Sequence, residues 1–271
     1  MGKTKAAALF RPGTDLKVSD AAASDTPLSG ASKAEDKLRV DQLAQEIATL
    51  QDVFYAQRTR KLLVVLQGMD TSGKDGTVKG VFGWIDPLGI RSVAFKAPST
   101  IEREHDYLWR IHRQVPAQGE IVIFNRSHYE DVLITKVHGW IDDKECKRRY
   151  AQIREFERML TETDTVLLKF FLHISQAEQK KRLEERLADP DKHWKFDPKD
   201  LEERQYWRAY CDAYTRAIRE TDADHAPWYV IPADSKTHRN LAIAQIVRDM
   251  MLDLKLAYPD PNPEYFKMKV S

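Results

Sequence analysis

Five short runs of apolar and β-branched residues, each followed by a longer polar stretch, constrain this chain more than any other feature. They are "KLLVVLQ" (61–67), "SVAFKA" (92–97), "EIVIFNRS" (120–127), "TVLLKFFLHI" (165–174) and "WYVIPA" (228–233). Strands that alternate with helices form right-handed βαβ units, so the runs predict an α/β chain with a five-stranded parallel sheet covered on both faces. A helix capped by Ser32, with Leu43, Ile47, Leu50 and Phe54 on its apolar face, should lead into the first run. The segment "THRNLAIAQIVRDMMLDLKLA" predicts a final amphipathic helix, and "YPDPNPEYFKMKVS" a proline-broken tail. Residues 1–32, rich in Ala, Ser, Asp, Gly and Pro, are expected to be a flexible tail, and residues 33–271 a single domain.

No apolar run approaches the roughly 20 residues that a membrane span needs, and the first 15 residues lack a sustained apolar core. The expectation is a cytoplasmic protein with no membrane association. Lys and Arg number 43 against 42 Asp and Glu, a net charge of +1, so no global field draws the chain to nucleic acid. Any polyanion must be met by a local cluster. Cys146 and Cys211 have no Cys or His neighbours at zinc spacing and read as two buried thiols.

The first run ends in "GMDTSGKDGT", Gly68 to Thr77. A glycine-rich turn between a strand end and a helix start presents backbone N–H groups and a positive helix dipole, which suit a phosphate. Gly68, Met69, Asp70, Thr71, Ser72, Gly73, Lys74, Asp75, Gly76 and Thr77 are therefore candidate phosphate-binding residues, with Lys74 adding a mobile charge and Lys79 following one turn on. The residue after Lys74 in such loops is usually Ser or Thr, which holds magnesium; here it is Asp75. Two carboxylates, Asp70 and Asp75, beside phosphates are tolerable only if cations are recruited between them.

The third run ends in "FNRSHYED" (124–131). In a parallel sheet this strand end faces the same crevice, which sets Arg126, Glu130 and Asp131 opposite Lys74. Asn125 stands where an acidic metal ligand is usual, so the carboxylate must come from further on. A polar turn capping the next helix is the plainer alternative. His128 shows no second partner in the sequence as a general base, whereas a phosphate acceptor, already ionised at neutral pH, needs none. Between the fourth and fifth runs, about residues 176–220, lies a charged insert that predicts two helices flanking "ADPDKHWKFDP". It reads either as a lid over a charged substrate or as a solvated hairpin.

Together "VLQGMDTSGKDGT", "FNRSHYED", the "HWK" of the insert and "APWYVIPADSKTHR" resemble the polyphosphate kinase 2 family, from about Leu43 to the last helix. The resemblance implies a P-loop kinase of the thymidylate-kinase type, a three-layer sandwich with a helical lid. It implies transfer of phosphate between inorganic polyphosphate and AMP, ADP and ATP, with guanine nucleotides an open alternative. Magnesium, with manganese as a substitute, is the implied cofactor, and a homo-oligomer the implied assembly. Carried over by motif, Asp70, Gly73 and Lys74 match the first phosphate motif, with Asp70 on the metal. Arg126 matches the arginine of the second motif. Arg182 and Arg186 resemble the basic residues leading into the lid, and Trp194 and Lys195 match its loop. Many relatives read Asp-Arg-Ser-Trp-Tyr-Asn-Arg where this chain has "NRSHYED", which shifts the expected metal ligand from Asn125 to Asp131. The form with Glu130 resembles the subgroup acting on AMP as well as ADP.

Polyphosphate needs a basic channel, for which Lys79, Lys96, Arg103, Arg110, Arg113 and Lys136 are candidates. Tyr107 and Trp109 read as core in preference to base-stacking platforms. The competing functions are a nucleotide-dependent kinase of a small molecule and a non-catalytic polyanion-binding module.

Overall fold

The computed structural model describes residues 5–30 and 32–270. Five parallel strands, β1 (Lys61–Gln67), β2 (Ile90–Ala94), β3 (Ile121–Asn125), β4 (Thr165–His173) and β5 (Trp228–Pro232), form one sheet in the order β2-β3-β1-β4-β5. All five coincide with the apolar runs to within a few residues. Strand β1 is central, with Leu66 level with Asn125 of β3 and with Phe170 of β4. Leu62, Leu63, Val64, Val65 and Leu66 are wholly inaccessible to solvent. Each contributes about 1.5–3 kcal/mol by leaving water. A strand buried on both faces has no polar alternation, which is why β1 reads as a continuous apolar run.

Alternate residues of β1 serve different cores. Leu62, Val64 and Leu66 pack with helices α2 (Lys33–Gln57), α3 (Lys74–Phe82) and α7 (Lys236–Asp253). Leu63 and Val65 pack against α4 (Asp143–Glu162) and α6 (Trp207–Thr221). Helix α2 starts as expected, with Ser32 Oγ accepting from Glu35 N, and stops at Arg58, whose φ of 51° ends the repeat. Helix α7 is less amphipathic than its sequence suggested: Leu241, Ile243, Ile246, Val247 and Met251 are all buried, as are Ala242 and Ala244. Helix α2 and the short helix α1 (Lys5–Phe10) pack against it.

The expected flexible tail is corrected by that packing. Residues 1–4 and 31 lie outside the described residues, but 5–30 run along the body of the protein. Phe10, Val18 and Ala23 are buried, and Arg11 pairs with Asp222 at 2.8 Å. Three apolar residues spaced eight and five apart have neither helical nor strand periodicity, so nothing local announced their burial. The charged insert begins with α5 (Gln176–Ala188), continues through 3-10 turns and a short helix, Lys199–Glu203, and returns along α6. Among the described residues no helix is long and apolar enough to cross a membrane. Cys146 is buried and Cys211 partly so.

Candidate active site

The loop after β1 is shaped by close contacts. A Cβ at Gly68 would lie 2.7 Å from the Leu172 carbonyl, and one at Gly73, where φ is +100°, would collide with the Arg239 guanidinium. Two non-glycine residues of the site, Thr71 (φ 64°) and Arg126 (φ 63°), also hold left-handed backbones. Such conformations cost about 1–2 kcal/mol each and persist where the surroundings impose them. The other three, Arg58, Asp164 and Lys255, lie just beyond helix ends.

Lys74 opens α3 and folds back over the loop, its Nζ donating to the carbonyls of Gly68 (2.7 Å) and Met69 (3.2 Å). Burial, aided by the charge of Arg126, pushes its ammonium down to about 8. Arg126 comes from the end of β3, where its N–H donates to the Leu66 carbonyl, and its Nη2 donates to Asp70 Oδ1 at 2.5 Å. Burial works against that guanidinium, and Glu130 and Asp70 more than offset it, holding Arg126 above its ordinary value. Asn125 Nδ2 donates to Asp75 Oδ1 at 2.5 Å, tying the two loops together a second time. Thr71 Oγ1 and Ser72 Oγ are buried with no hydrogen-bond partner, a cost that an oxyanion held by the loop would relieve.

Two cavities meet at this pair. The larger, about 570 Å³, is lined by Lys74 and Gly76 of the loop, by Lys96, Arg182, Lys236 and Arg239, and by Arg186, Lys192, Trp194 and Lys195 of the insert. The smaller, about 80 Å³, is lined by Gly68 and Met69, by Glu130, Leu133 and Ile134, and by Trp207, Tyr210 and Tyr214. Asp70 and Arg126 line both. Burial raises the Glu130 carboxyl, against the pull of Arg126 and Lys74. With its carbonyl turned to accept from Ser127, the Gln67 amide donates to Glu130 Oε1 at 3.0 Å.

Asp131, expected on the metal, does not join this group. It lines neither cavity and lies between Arg110 (3.7 Å) and Arg149 (3.9 Å). Residues His128–Val132 form a 3-10 turn, in which successive side chains diverge by about 120°. Only one of the adjacent carboxylates can face the loop, and it is Glu130. Arg182 likewise holds structure together: its guanidinium donates to the carbonyls of Thr71 (2.9 Å), Ala233 (2.7 Å) and Asp234 (2.8 Å), fixing the loop to the end of β5. Arg186 lines the wide cavity, with its Nη1 donating to the Lys195 carbonyl (3.1 Å) and to Asp200 Oδ2 (3.3 Å). Burial and Asp70 push the Asp200 carboxyl up to about 6. Trp194 is exposed at the cavity mouth with Lys195 Nζ 4.7 Å from its ring centre. Thr77 is buried beneath the loop, its hydroxyl bonded to the Gly73 carbonyl.

Of the channel candidates, Lys96 lines the wide cavity; Lys79, Arg103, Arg113 and Lys136 do not. Arg110 is buried, donating to the Lys96 carbonyl. Tyr107 and Trp109 also line neither cavity. The sequence reading missed Arg239, whose Nη1 donates to the Ser72 carbonyl at 3.2 Å and whose guanidinium burial, with Arg182 nearby, pushes down to about 9. It lies on the last helix, and only its place in "SKTHR" marked it. His128 does have a partner, Glu157 at 3.2 Å, but both are buried with Tyr129 and Lys169 beneath the turn, out of reach of any substrate.

Among the described residues no group of three or more His, Cys, Asp or Glu converges as a metal cage. Two carboxylates, Asp70 and Glu130, stand beside the cavity junction. That donor set fits a hard divalent cation whose remaining ligands are water and phosphate oxygens.

The polyphosphate kinase 2 family profile matches residues 30–258. An AMP/ADP-polyphosphate phosphotransferase of Meiothermus ruber is 50% identical over 220 residues, 81% of this chain and 82% of its own. An ADP-polyphosphate phosphotransferase of Rhodopseudomonas palustris is 41% identical over 81% of this chain and 80% of its own. The crystal structure of polyphosphate kinase 2 from Arthrobacter aurescens superposes with a TM-score of 0.92 at 43% identity, covering 97% of this chain and 94% of that one. A glycine loop closed by Lys74, an arginine at the end of β3, a helical insert above both and these likenesses agree: the chain belongs to the polyphosphate kinase 2 family.

Proposed function

We propose that the chain transfers phosphate between inorganic polyphosphate and adenine nucleotides, AMP to ADP and ADP to ATP, with the two cavities as its two substrate seats. The observation that carries the assignment is that, among the described residues, Asp70 and Arg126 alone line both cavities at the junction. The wide cavity suits a repeating anion: nine lysines and arginines, from the loop, the strand ends, the insert and α7, outnumber the five carboxylates of its lining. The narrow one combines indole and phenol faces with three carboxylates, Asp70, Glu130 and Glu203, and with Arg126 and Arg204, which suits a nucleoside and a phosphate that brings a cation. At about 80 Å³ it is far smaller than its neighbour, so the insert, which supplies Gln179, Glu203, Arg204 and Tyr210 to its wall, has to part from the loop to admit a nucleoside. The insert at 176–220 is therefore the lid.

In the transfer, an oxygen of the nucleotide phosphate forms a bond to the terminal phosphorus of polyphosphate, and the bond from that phosphorus to the rest of the chain breaks. The shortened chain leaves with the electron pair. No side chain need remove a proton from the acceptor. Lys74, Arg126 and the loop N–H groups hold the transferring oxygens, and Asp70 fixes Arg126 at 2.5 Å while competing for it with the phosphate. Magnesium, held by Asp70 with Glu130 nearby, would supply charge neutralisation between donor and acceptor oxygens. AMP as acceptor is supported by Glu130 in the narrow cavity and by the name of the Meiothermus ruber relative.

Incubation with AMP, magnesium and polyphosphate, without any nucleoside triphosphate, should yield ADP and then ATP. No product under those conditions, with turnover when ATP is the donor, would overturn the proposal in favour of a nucleotide-dependent kinase.

A further inference from the structure

The N-terminal segment crosses the molecule at a specific place, the two roots of the insert. At the outgoing root, Ser175 caps α5, and Asp20 Oδ2 accepts from Gln176 N at 3.1 Å. At the returning root, Asp20 Oδ1 accepts from the indole Nε1 of Trp207, also at 3.1 Å. One carboxylate thus bonds both ends of a segment whose roots are about thirty residues apart in sequence. Arg204 closes the same two ends from the other side, donating to the Gln176 carbonyl and to Gln179 Oε1, each at 2.8 Å.

The contacts around Asp20 continue in both directions. Val18 N donates to Thr215 Oγ1 (3.1 Å) on α6, and Val18 is buried in the same core as Trp207 and Tyr214. The Ala23 carbonyl accepts from Asp234 N (3.1 Å), and the Asp234 carboxylate accepts from both the N–H and the hydroxyl of Ser175, each at 2.8 Å. The Asp234 carbonyl in turn accepts from Arg182, whose other nitrogen holds the Thr71 carbonyl of the phosphate loop. A continuous run of hydrogen bonds therefore joins residues 18–23 to the lid roots, and the lid roots to the loop.

We propose that residues 5–30 are a strap that sets the resting position of the lid, and that Asp20 is a positioning residue for the nucleotide seat, acting through Trp207. The inference rests on the reading of the narrow cavity as that seat. Trp207 is almost fully buried and contributes one wall of the cavity. Its ring can turn about two side-chain torsions, and the bond from Nε1 to Asp20 selects one orientation. Asp20 itself is exposed and reaches no substrate, so its removal should alter nucleotide affinity without touching the transferring phosphate.

The expected result for Asp20→Ala is a KM for AMP raised ~5- to 20-fold, with kcat within threefold and the KM for polyphosphate unchanged. Trp207→Phe should give a similar rise, and the double variant no more than the larger single one, because both remove the same contact. Asp20→Asn, which keeps one acceptor oxygen, should recover part of the loss. Hydrogen–deuterium exchange supplies a readout independent of activity: in Asp20→Ala, exchange should quicken at 176–180 and 204–210 and stay unchanged in β1 and β4. Wild-type turnover of polyphosphate with AMP reports separately on the seat assignment; were it absent, the exchange pattern would still decide on the strap. Exchange unchanged at both roots, exchange quickened throughout the chain, or equal losses in kcat and kcat/KM would each overturn the proposal.

Discussion

Two charged clusters hang from the same turn, "NRSHYED", and are built to opposite specifications. Facing the cavities, Asp70, Lys74, Arg126 and Glu130 are bonded chiefly to each other and to backbone carbonyls, beside unpartnered hydroxyls at Thr71 and Ser72. Behind the turn, Glu157 accepts from Lys169 (2.6 Å) and Tyr129 (2.7 Å) and contacts His128; Lys169 also donates to the Thr221 carbonyl and to Tyr129. Burial works to raise the Glu157 carboxyl, and Lys169 and His128 more than offset it, so it stays ionised below the usual carboxylate range. The first cluster has partners that phosphate oxygens can replace. The second has none to exchange, and its role is to fix the turn so that Arg126 and Glu130 face outward.

The contrast can be broken most forcefully from behind. Lys169→Met leaves a buried carboxylate short of its cation and is expected to lower the unfolding free energy by ~3–5 kcal/mol, read by urea denaturation. A loss below ~1 kcal/mol would mean that the network is not the rigid support described. On the cavity side the expectation reverses: Lys74→Ala and Asp70→Asn should each lower turnover by at least ~100-fold, about 2.7 kcal/mol, without the loss of stability expected at Lys169. Near-wild-type rates in either variant would remove these residues from the site.

Glu130 tests the boundary between the clusters. Glu130→Asn is expected to reduce kcat/KM for AMP more than for ADP, by ~1–3 kcal/mol of differential stabilisation, because AMP leaves room that a carboxylate and its bound water or cation can fill. Parallel losses on both acceptors would assign Glu130 to general phosphate handling. The smallest effect concerns pH. Lys74 needs its proton to hold phosphate, and its ammonium titrates near 8, so kcat/KM for polyphosphate should be flat at neutral pH and fall as pH rises through about 8. Stability moves the other way: an unfolded lysine keeps its proton to about 10.4, so from pH 8 upward the unfolded chain binds more protons and Lys74 becomes less destabilising. Lys74→Met should abolish both trends, which a pH series of activity and melting temperature can check.

Much of this arrangement was legible in the chain. Four strands could be read because they are buried on both faces and therefore continuous in hydrophobicity, whereas the half-exposed edge strand β2 was located only to within two or three residues; the loop could be read because phosphate binding fixes glycine, lysine and strand context together. Asp131 was misplaced and Glu130 only half understood, since the choice between adjacent residues depends on how a 3-10 turn is rotated, and that rotation is set by Tyr129 and His128 seating on Glu157. Arg182 lines the wide cavity as its type and position suggested, but the sequence did not show that its guanidinium is also bonded to Glu178 and to the carbonyls of Thr71, Ser72, Ala233 and Asp234.

The sequence by itself determined the α/β class, the order of its elements, the phosphate loop and the existence of a charged insert, because each rests on local periodicity or on short-range backbone geometry. Only the tertiary structure decided which charges face a cavity and which are walled in, and that residues 5–30 bind the roots of the insert instead of trailing in solvent. Those outcomes depend on contacts between residues as far apart as Asp20 and Trp207, or Lys74 and Arg126. No window of sequence holds both partners of such a pair, and a side chain's charge has the same letter whether it is buried, paired or free.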